Sequence, residues 1–227
     1  MQDDFYQNTL YPLQDRVLKI VSQLPVDFYL TGGTALGRVY LHHRYSDDLD
    51  FFVNNARDFK QQVNTVVNAL KISGLALETA TADETYARLF IYEKDCILKL
   101  DFVNDVPFRN GTPINTELFF RIDTTLNILS NKISALSRYS PKDVVDIIFL
   151  AQITQFDWEN IFNDASEKDL WANPINAAEV LEGFPLEKLK EIAWIGEGPS
   201  NDWILSQITR IITDILDGGS NSLFAQK

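Results

Sequence analysis

Between Leu30 and Val53 the chain reads LTGGTALGRVYLHHRYSDDLDFFV. Asp48-Leu49-Asp50 opens an apolar run that reads as a strand, along which successive side chains alternate faces. Asp48 and Asp50 therefore point the same way, while Leu49 points toward a core. Two carboxylates held side by side repel unless a cation lies between them. Magnesium suits that position, because it takes hard oxygen ligands and keeps places open for substrate phosphates. Two such ions about 3.5–4 Å apart can clamp both the attacking and the leaving oxygen of a phosphoryl displacement. Farther along, LKLDFV repeats the look of DLDFFV. Asp101 stands among apolar neighbours on a second predicted strand, an unfavourable place for a carboxylate with neither partner nor metal. If that strand runs beside Asp48–Val53, then Asp48, Asp50 and Asp101 converge as a ligand set for one or two Mg2+ ions.

Gly32 and Gly33 supply a second half. They follow a short apolar run, DFYLTG, and open a helical one, GTALGRVYLHH. Backbone N–H groups at such a junction lack helical partners, and the helix dipole there favours an anion. With the Thr34 hydroxyl they form a cradle for the β- and γ-phosphates of a nucleotide. Each feature also has a plainer reading. The glycines can be a tight strand-to-helix turn, and Asp48 and Asp50 a solvated strand end. His42 and His43, placed late on that helix, can be a structural hydrogen-bonding pair. Arg44 either contacts phosphate or pairs with Asp47.

The elements that must position these residues follow from periodicity. LYPLQDRVLKIVSQL has the apolar spacing of an amphipathic helix ended by Pro25. ARDFKQQVNTVVNALKISG reads as a helix closed by Gly74. LALETAT, TYARLFIYE and CILKLDFV read as strands, the last two joined in a hairpin at Glu93-Lys94-Asp95. After about residue 115 the period becomes helical. Helices are expected over TLNILSNKISALSR, PKDVVDIIFLAQI and NDWILSQITRIITDILDG, with shorter helical pieces in DWENIFNDASEKDLW and NAAEVLEGF. Pro141 falls at a helix start after Ser140. The expected class is α+β: a small mixed sheet with flanking helices over residues 1–115, then a helical domain over 116–227 packed against it. The tail GGSNSLFAQK reads as frayed.

Composition narrows the function classes. The 227 residues are 45% hydrophobic, with 15 Phe and 8 Tyr, enough to build a substantial core. No apolar run reaches the roughly 20 residues of a membrane span, and the acidic, polar start does not suit a signal peptide. The one cysteine, Cys96, sits among Ile97, Leu98 and Leu100 as a core residue and excludes an internal disulfide. A reducing cytoplasm fits. The formal charge is −12, with 10 Lys and Arg against 15 Asp and Glu over residues 1–105, and 10 against 17 over 106–227. That disfavours broad nucleic-acid binding, which runs on cations neutralising phosphates. Only Thr124–Lys142 departs, lacking any acid while holding Lys132, Arg138 and Lys142. Lys132 lies at the edge of the stripe formed by Ile128, Leu129, Ile133 and Leu136. There it is either an ordinary helix lysine or has a route to a cleft between the two parts. Asp143 and Asp146 fall in a first helical turn, where acids favour the dipole in any case.

Gly32-Gly33-Thr34-Ala35-Leu36, then LHHRYSDDLDFF, then LKLDFV, resembles the polymerase-β-like nucleotidyltransferase superfamily. More narrowly, the chain is similar to the AbiEii/AbiGii toxins of type IV toxin–antitoxin and phage-defence pairs. Tyr40-Leu41-His42-His43-Arg44, Ser46 and Asp48-Leu49-Asp50-Phe51 carry most of the likeness, and NKISALSRYSPKDVVDI resembles that family's later motif. The resemblance implies transfer of a nucleoside monophosphate from an NTP to an acceptor hydroxyl, tRNA being the acceptor for some members. It implies metal binding by Asp48 and Asp50, activation of the acceptor by Asp101, a triphosphate contact from Lys132 and a catalytic place for Asp143. It further implies an antitoxin encoded elsewhere. Two alternatives keep the fold: transfer to a small cationic acceptor such as an aminoglycoside, which a surface of charge −12 would attract, and a catalytically idle module that binds a nucleotide or a partner.

Overall fold

The computed structural model describes residues 2–224 and has the α+β architecture expected from the sequence. It contains two compact units. The first comprises Met1–Tyr40, Tyr45–Pro107 and Thr112–Asp123; the second comprises Leu41–Arg44, Phe108–Gly111 and Thr124–Lys227. The chain thus passes for the last time into the helical unit after Asp123, where the sequence reading places the change near 115.

The first unit is built on a five-stranded mixed sheet: β1 (Tyr29–Thr31), β2 (Leu49–Asn54), β3 (Ala76–Ala82), β4 (Tyr86–Glu93) and β5 (Cys96–Asp105). Their spatial order is β1-β2-β5-β4-β3, with β2 and β5 parallel and every other pair antiparallel. The period-2 pattern is followed closely. Leu49, Phe51 and Val53 of β2, Ala87, Leu89 and Ile91 of β4, and Cys96, Leu98, Leu100 and Phe102 of β5 are buried on one face. Phe51 stacks on Phe102 with ring centroids 5.2 Å apart, and Phe28 meets Phe102 edge-on at 5.0 Å. The β4–β5 hairpin turns at Lys94 and Asp95, with Lys94 in the left-handed region.

Helices flank this sheet. α1 (Gln2–Phe5) continues through a π turn at Tyr6–Leu10 into α2 (Tyr11–Val21), whose Leu13, Val17, Leu18 and Val21 are buried. α3 (Gly32–Ala35) runs into a second π turn at Leu36–Tyr40, and α4 (Phe59–Ile72) buries Phe59, Val63, Val66 and Leu70. The helix opened by the glycines therefore ends at Tyr40. His42 and His43 lie beyond it rather than on it, and His42 has φ 49°, which ends the helical geometry.

The second unit is helical: α5 (Thr125–Ser134), α6 (Pro141–Ile153), α7 (Trp158–Ser166), α8 (Pro174–Glu182) and α9 (Asn201–Asp217). Thr124 caps α5 by accepting from the Asn127 N–H, and Pro141 opens α6 as expected. α6 is apolar nearly all round, so Val144, Val145, Ile147, Ile148 and Leu150 are buried. The tail is not frayed over its described part. Ser220 pairs with Asp157, the Asn221 amide donates to the Ala151 and Thr154 carbonyls at 2.6 and 2.9 Å, and Leu223 is buried. Buried hydrogen bonds to main-chain carbonyls outweigh the polar, glycine-rich composition there. Residues 225–227 of that segment lie outside the described residues.

Candidate active site

In the first unit the sheet face opposite the core carries the predicted carboxylates. Parallel pairing sets Asp50 of β2 directly against Asp101 of β5, and antiparallel pairing sets Arg88 of β4 against Asp101 on the other side. Thr31 of β1 pairs with Asp50. One row therefore crosses four strands as Thr31, Asp50, Asp101 and Arg88. Asp48 lies just before β2, and its backbone carbonyl accepts a hydrogen bond from the Thr34 hydroxyl. Thr34 is fully buried, so its hydroxyl fixes Asp48 and is not presented as part of an open cradle.

Gly32, the first residue of α3, explains how the start of that helix fits against this row. Its φ is +68°, and a Cβ placed there would lie 2.4 Å from Asp50 Oδ2. Only glycine allows both the left-handed backbone and so close an approach of the main chain to the carboxylate. Gly33 follows, buried, as the second residue of α3. Thr31 donates to Asp123 Oδ2 at 2.7 Å, and the Tyr40 hydroxyl donates to the Asp123 main-chain carbonyl at 2.7 Å. Burial, reinforced by the Asp123 charge, pushes the Tyr40 phenol up to about 12.

The three carboxylates do not stand alone. Lys99 Nζ lies 2.7 Å from Asp48 Oδ2 and 3.5 Å from Asp101 Oδ2. Arg88 grips Asp101 with one edge of its guanidinium, Nε donating to Oδ1 at 2.7 Å and Nη2 to Oδ2 at 2.9 Å. The Tyr86 hydroxyl adds a bond to Oδ1 at 2.8 Å. Burial alone would raise the Asp101 pKa; Arg88, Tyr86 and Lys99 more than offset it and hold the carboxyl below its ordinary value. The Tyr86 phenol is correspondingly pushed up to about 12, by burial first and by its bond to Asp101 second. Among the described residues, no three His, Cys, Asp or Glu side chains gather closely enough to hold a metal ion. As a donor set, hard carboxylate oxygens on one face suit Mg2+. Asp48 and Asp50 would be the residues to hold that ion, with Lys99 displaced from Asp48, whereas Asp101 has both oxygens engaged by a guanidinium.

The remaining predicted residues lie in the second unit and form a separate cluster around Asp146. Arg44 donates Nε to Asp146 Oδ1 at 2.8 Å and Nη2 to Oδ2 at 2.7 Å, and its side chain is 2% exposed. Arg44 thus pairs with Asp146, while Asp47 accepts from the Tyr6 hydroxyl at 2.5 Å. His43 Nε2 lies 2.9 Å from Asp146 Oδ1, and its Nδ1 is buried without a hydrogen-bond partner. Lys132 Nζ bridges Asp143 Oδ1 at 2.6 Å and Asp146 Oδ2 at 2.8 Å. Burial would make the Asp146 carboxyl harder to ionise, but Arg44, Lys132 and His43 together hold it well below the usual range. Burial likewise opposes the charge on Lys132, yet Asp143 and Asp146 raise its pKa above the ordinary value. His43 is lowered, because burial outweighs the attraction of Asp146. In the acid-poor segment Arg138 is exposed, while Lys132, committed to two acids, and Lys142 are both half-buried.

Lys99, Arg88, Tyr86 and the hub role of Asp146 were not singled out from sequence. Alternation does put Lys99 on the face of Asp101, and Arg88 interrupts the apolar run of β4 on the same period. Nothing local links Arg44 to Asp146, which is 102 residues away.

No curated protein matches the chain. Among solved structures, a Helicobacter pylori protein described as a candidate nucleotidyltransferase superposes with TM-score 0.62 at 18% identity, covering 93% of this chain and 96% of that one. JHP933 from Helicobacter pylori superposes with TM-score 0.60 at 21% identity, covering 92% and 90%. At such identities the likeness establishes the fold. The model of the family described as nucleotidyl transferase AbiEii toxin, type IV toxin–antitoxin system, matches residues 16–194, so the chain belongs to the AbiEii family and is a nucleotidyltransferase.

Proposed function

We propose that the protein moves a nucleoside monophosphate from a magnesium-bound NTP to a hydroxyl of tRNA, as the toxin of a pair whose antitoxin is encoded elsewhere. The observation that supports this reading is Asp50 in register with Asp101 and against Gly32, with Lys99 reaching from Asp101 to Asp48. Magnesium bound by Asp48 and Asp50 supplies a hard cation that draws charge from the phosphate oxygens. Gly32 lets the main chain approach the phosphates without a side chain intervening. Thr34 keeps Asp48 in register with Asp50. Lys99, displaced from Asp48, is left beside the triphosphate as a mobile cation. The acceptor hydroxyl gives up its proton to solvent as its oxygen bonds to the α-phosphorus, the bond from that phosphorus to the bridging oxygen breaks, and pyrophosphate leaves with that electron pair. Lys132 and Asp143 act from within the Asp146 cluster, where their ion pair keeps the start of α6 rigid; Arg44 belongs to that scaffold. An NTP substrate is consistent with action in the cytoplasm.

A second acceptor is favoured by the charge. At −12, with Lys132 neutralised by Asp143 and Asp146, the chain attracts a small polycation such as an aminoglycoside more readily than RNA. The test is transfer of label from an α-labelled NTP in magnesium to total tRNA or to an aminoglycoside, at two salt concentrations. Label on tRNA, lost in Asp50→Asn, supports the first reading. Label on the aminoglycoside alone replaces it with the second, and label on neither contradicts both.

A further inference from the structure

We infer that Arg88 withdraws Asp101 from metal coordination, so that the site takes one divalent ion where three carboxylates would otherwise hold two. The inference rests on the nucleotidyl-transfer reading and names the number of ions that reading needs. Two divalent ions a few ångströms apart repel strongly and are stable only where carboxylate oxygens bridge or flank both. Asp101 is the carboxylate placed for that task, directly paired with Asp50. Both of its oxygens face the fixed fork of Arg88, at 2.7 and 2.9 Å, and Tyr86 adds a third donor at 2.8 Å. A divalent ion bound to either oxygen would stand within about 5 Å of the guanidinium, since Mg–O distances are about 2.1 Å. Arg88 cannot shed its charge, and its strand position directly opposite Asp101 holds the fork in place. Lys99 differs in geometry: it meets Asp48 through one ammonium contact at 2.7 Å, with no second bond to fix it on that carboxylate, so a divalent ion can take its place. Asp48, Asp50 and Asp101 with Lys99 and Arg88 together carry about −1, which one divalent ion turns to about +1, attractive to a triphosphate.

Arg88 is thus a positioning residue acting through Asp101. The test counts Mn2+ ions on the full chain saturated with a non-hydrolysable NTP analogue, by electron paramagnetic resonance of free Mn2+ with the analogue alone subtracted. Wild type is expected to bind one ion per chain and Arg88→Met two. Arg88→Lys, which keeps a charge but cannot grip both oxygens, is expected to follow Arg88→Met. Two ions on wild type, or one on every folded Arg88 variant, overturns the inference while leaving the metal site intact. No ion on wild type, or a count unchanged in Asp48→Asn, overturns the metal reading as well.

Discussion

Arg44 and Asp146 meet through two parallel hydrogen bonds, 2.8 and 2.7 Å long, with the Arg44 side chain 2% exposed and that of Asp146 fully buried. Removing Arg44 leaves the buried Asp146 carboxylate with Lys132 and His43 but without its bidentate partner, and breaking such a buried pair costs about 3–5 kcal/mol. Arg44→Met is therefore expected to lower the free energy of unfolding by that amount in urea denaturation. A loss under about 1 kcal/mol would mean that the pair is not buried as described.

Lys132 bridges Asp143 and Asp146 in the same cluster. Lys132→Met takes from Asp143 its ion pair and from Asp146 one of its two cations, leaving Asp146 with Arg44. A loss of several kcal/mol is expected, again from the broken buried pair, and the thermal midpoint should fall before any change in the Michaelis constant for NTP is interpretable. A variant of wild-type stability with only a raised Michaelis constant would return Lys132 to a direct contact with substrate.

Acid should weaken the fold in two stages. His43 titrates below its ordinary 6.5 in the folded chain, so the unfolded chain takes up that proton first and stability falls as pH drops below about 6.5. Asp146 is held well below 3.8, so its contribution is complete above that value and is lost as pH falls through the folded-state value. His43→Gln, which stays neutral, should remove the first stage and keep the second. A chain whose stability is flat from pH 7 to pH 5 would contradict the His43 environment.

Gly32→Ala places a methyl 2.4 Å from Asp50 Oδ2 at a φ of +68°. The positive φ alone costs a non-glycine residue of order 1–3 kcal/mol, and Asp50 must move as well. Transfer activity is expected to fall at least tenfold, with a measurable loss of stability. Full activity would show that the turn and the carboxylate are not coupled.

Much of this was legible in the sequence because the relevant patterns are short. Period-2 alternation fixed which faces Leu49, Asp50, Leu100 and Asp101 occupy, and the Lys94 turn marked the hairpin. What was not legible depends on long-range pairing. His43 reads as the end of a helix and Arg44 as a phosphate contact or a partner of Asp47, yet both pair with Asp146 more than 100 residues on. Arg88 takes its role from its register against Asp101 on the neighbouring strand, which no local pattern encodes. Asn221 read as part of a loose tail because its hydrogen bonds go to carbonyls 67 and 70 residues earlier.

Asp50 stands at the centre of the proposed chemistry, and the most direct test follows the two ends of the triphosphate. The protein would be incubated with magnesium and NTP labelled at either the α- or the γ-phosphate, with Asp50→Asn alongside. The expected result is α-label on the acceptor, γ-label released as pyrophosphate, and neither in Asp50→Asn. Label from the γ-position on the acceptor, or full transfer by Asp50→Asn, would contradict nucleotidyl transfer at this site.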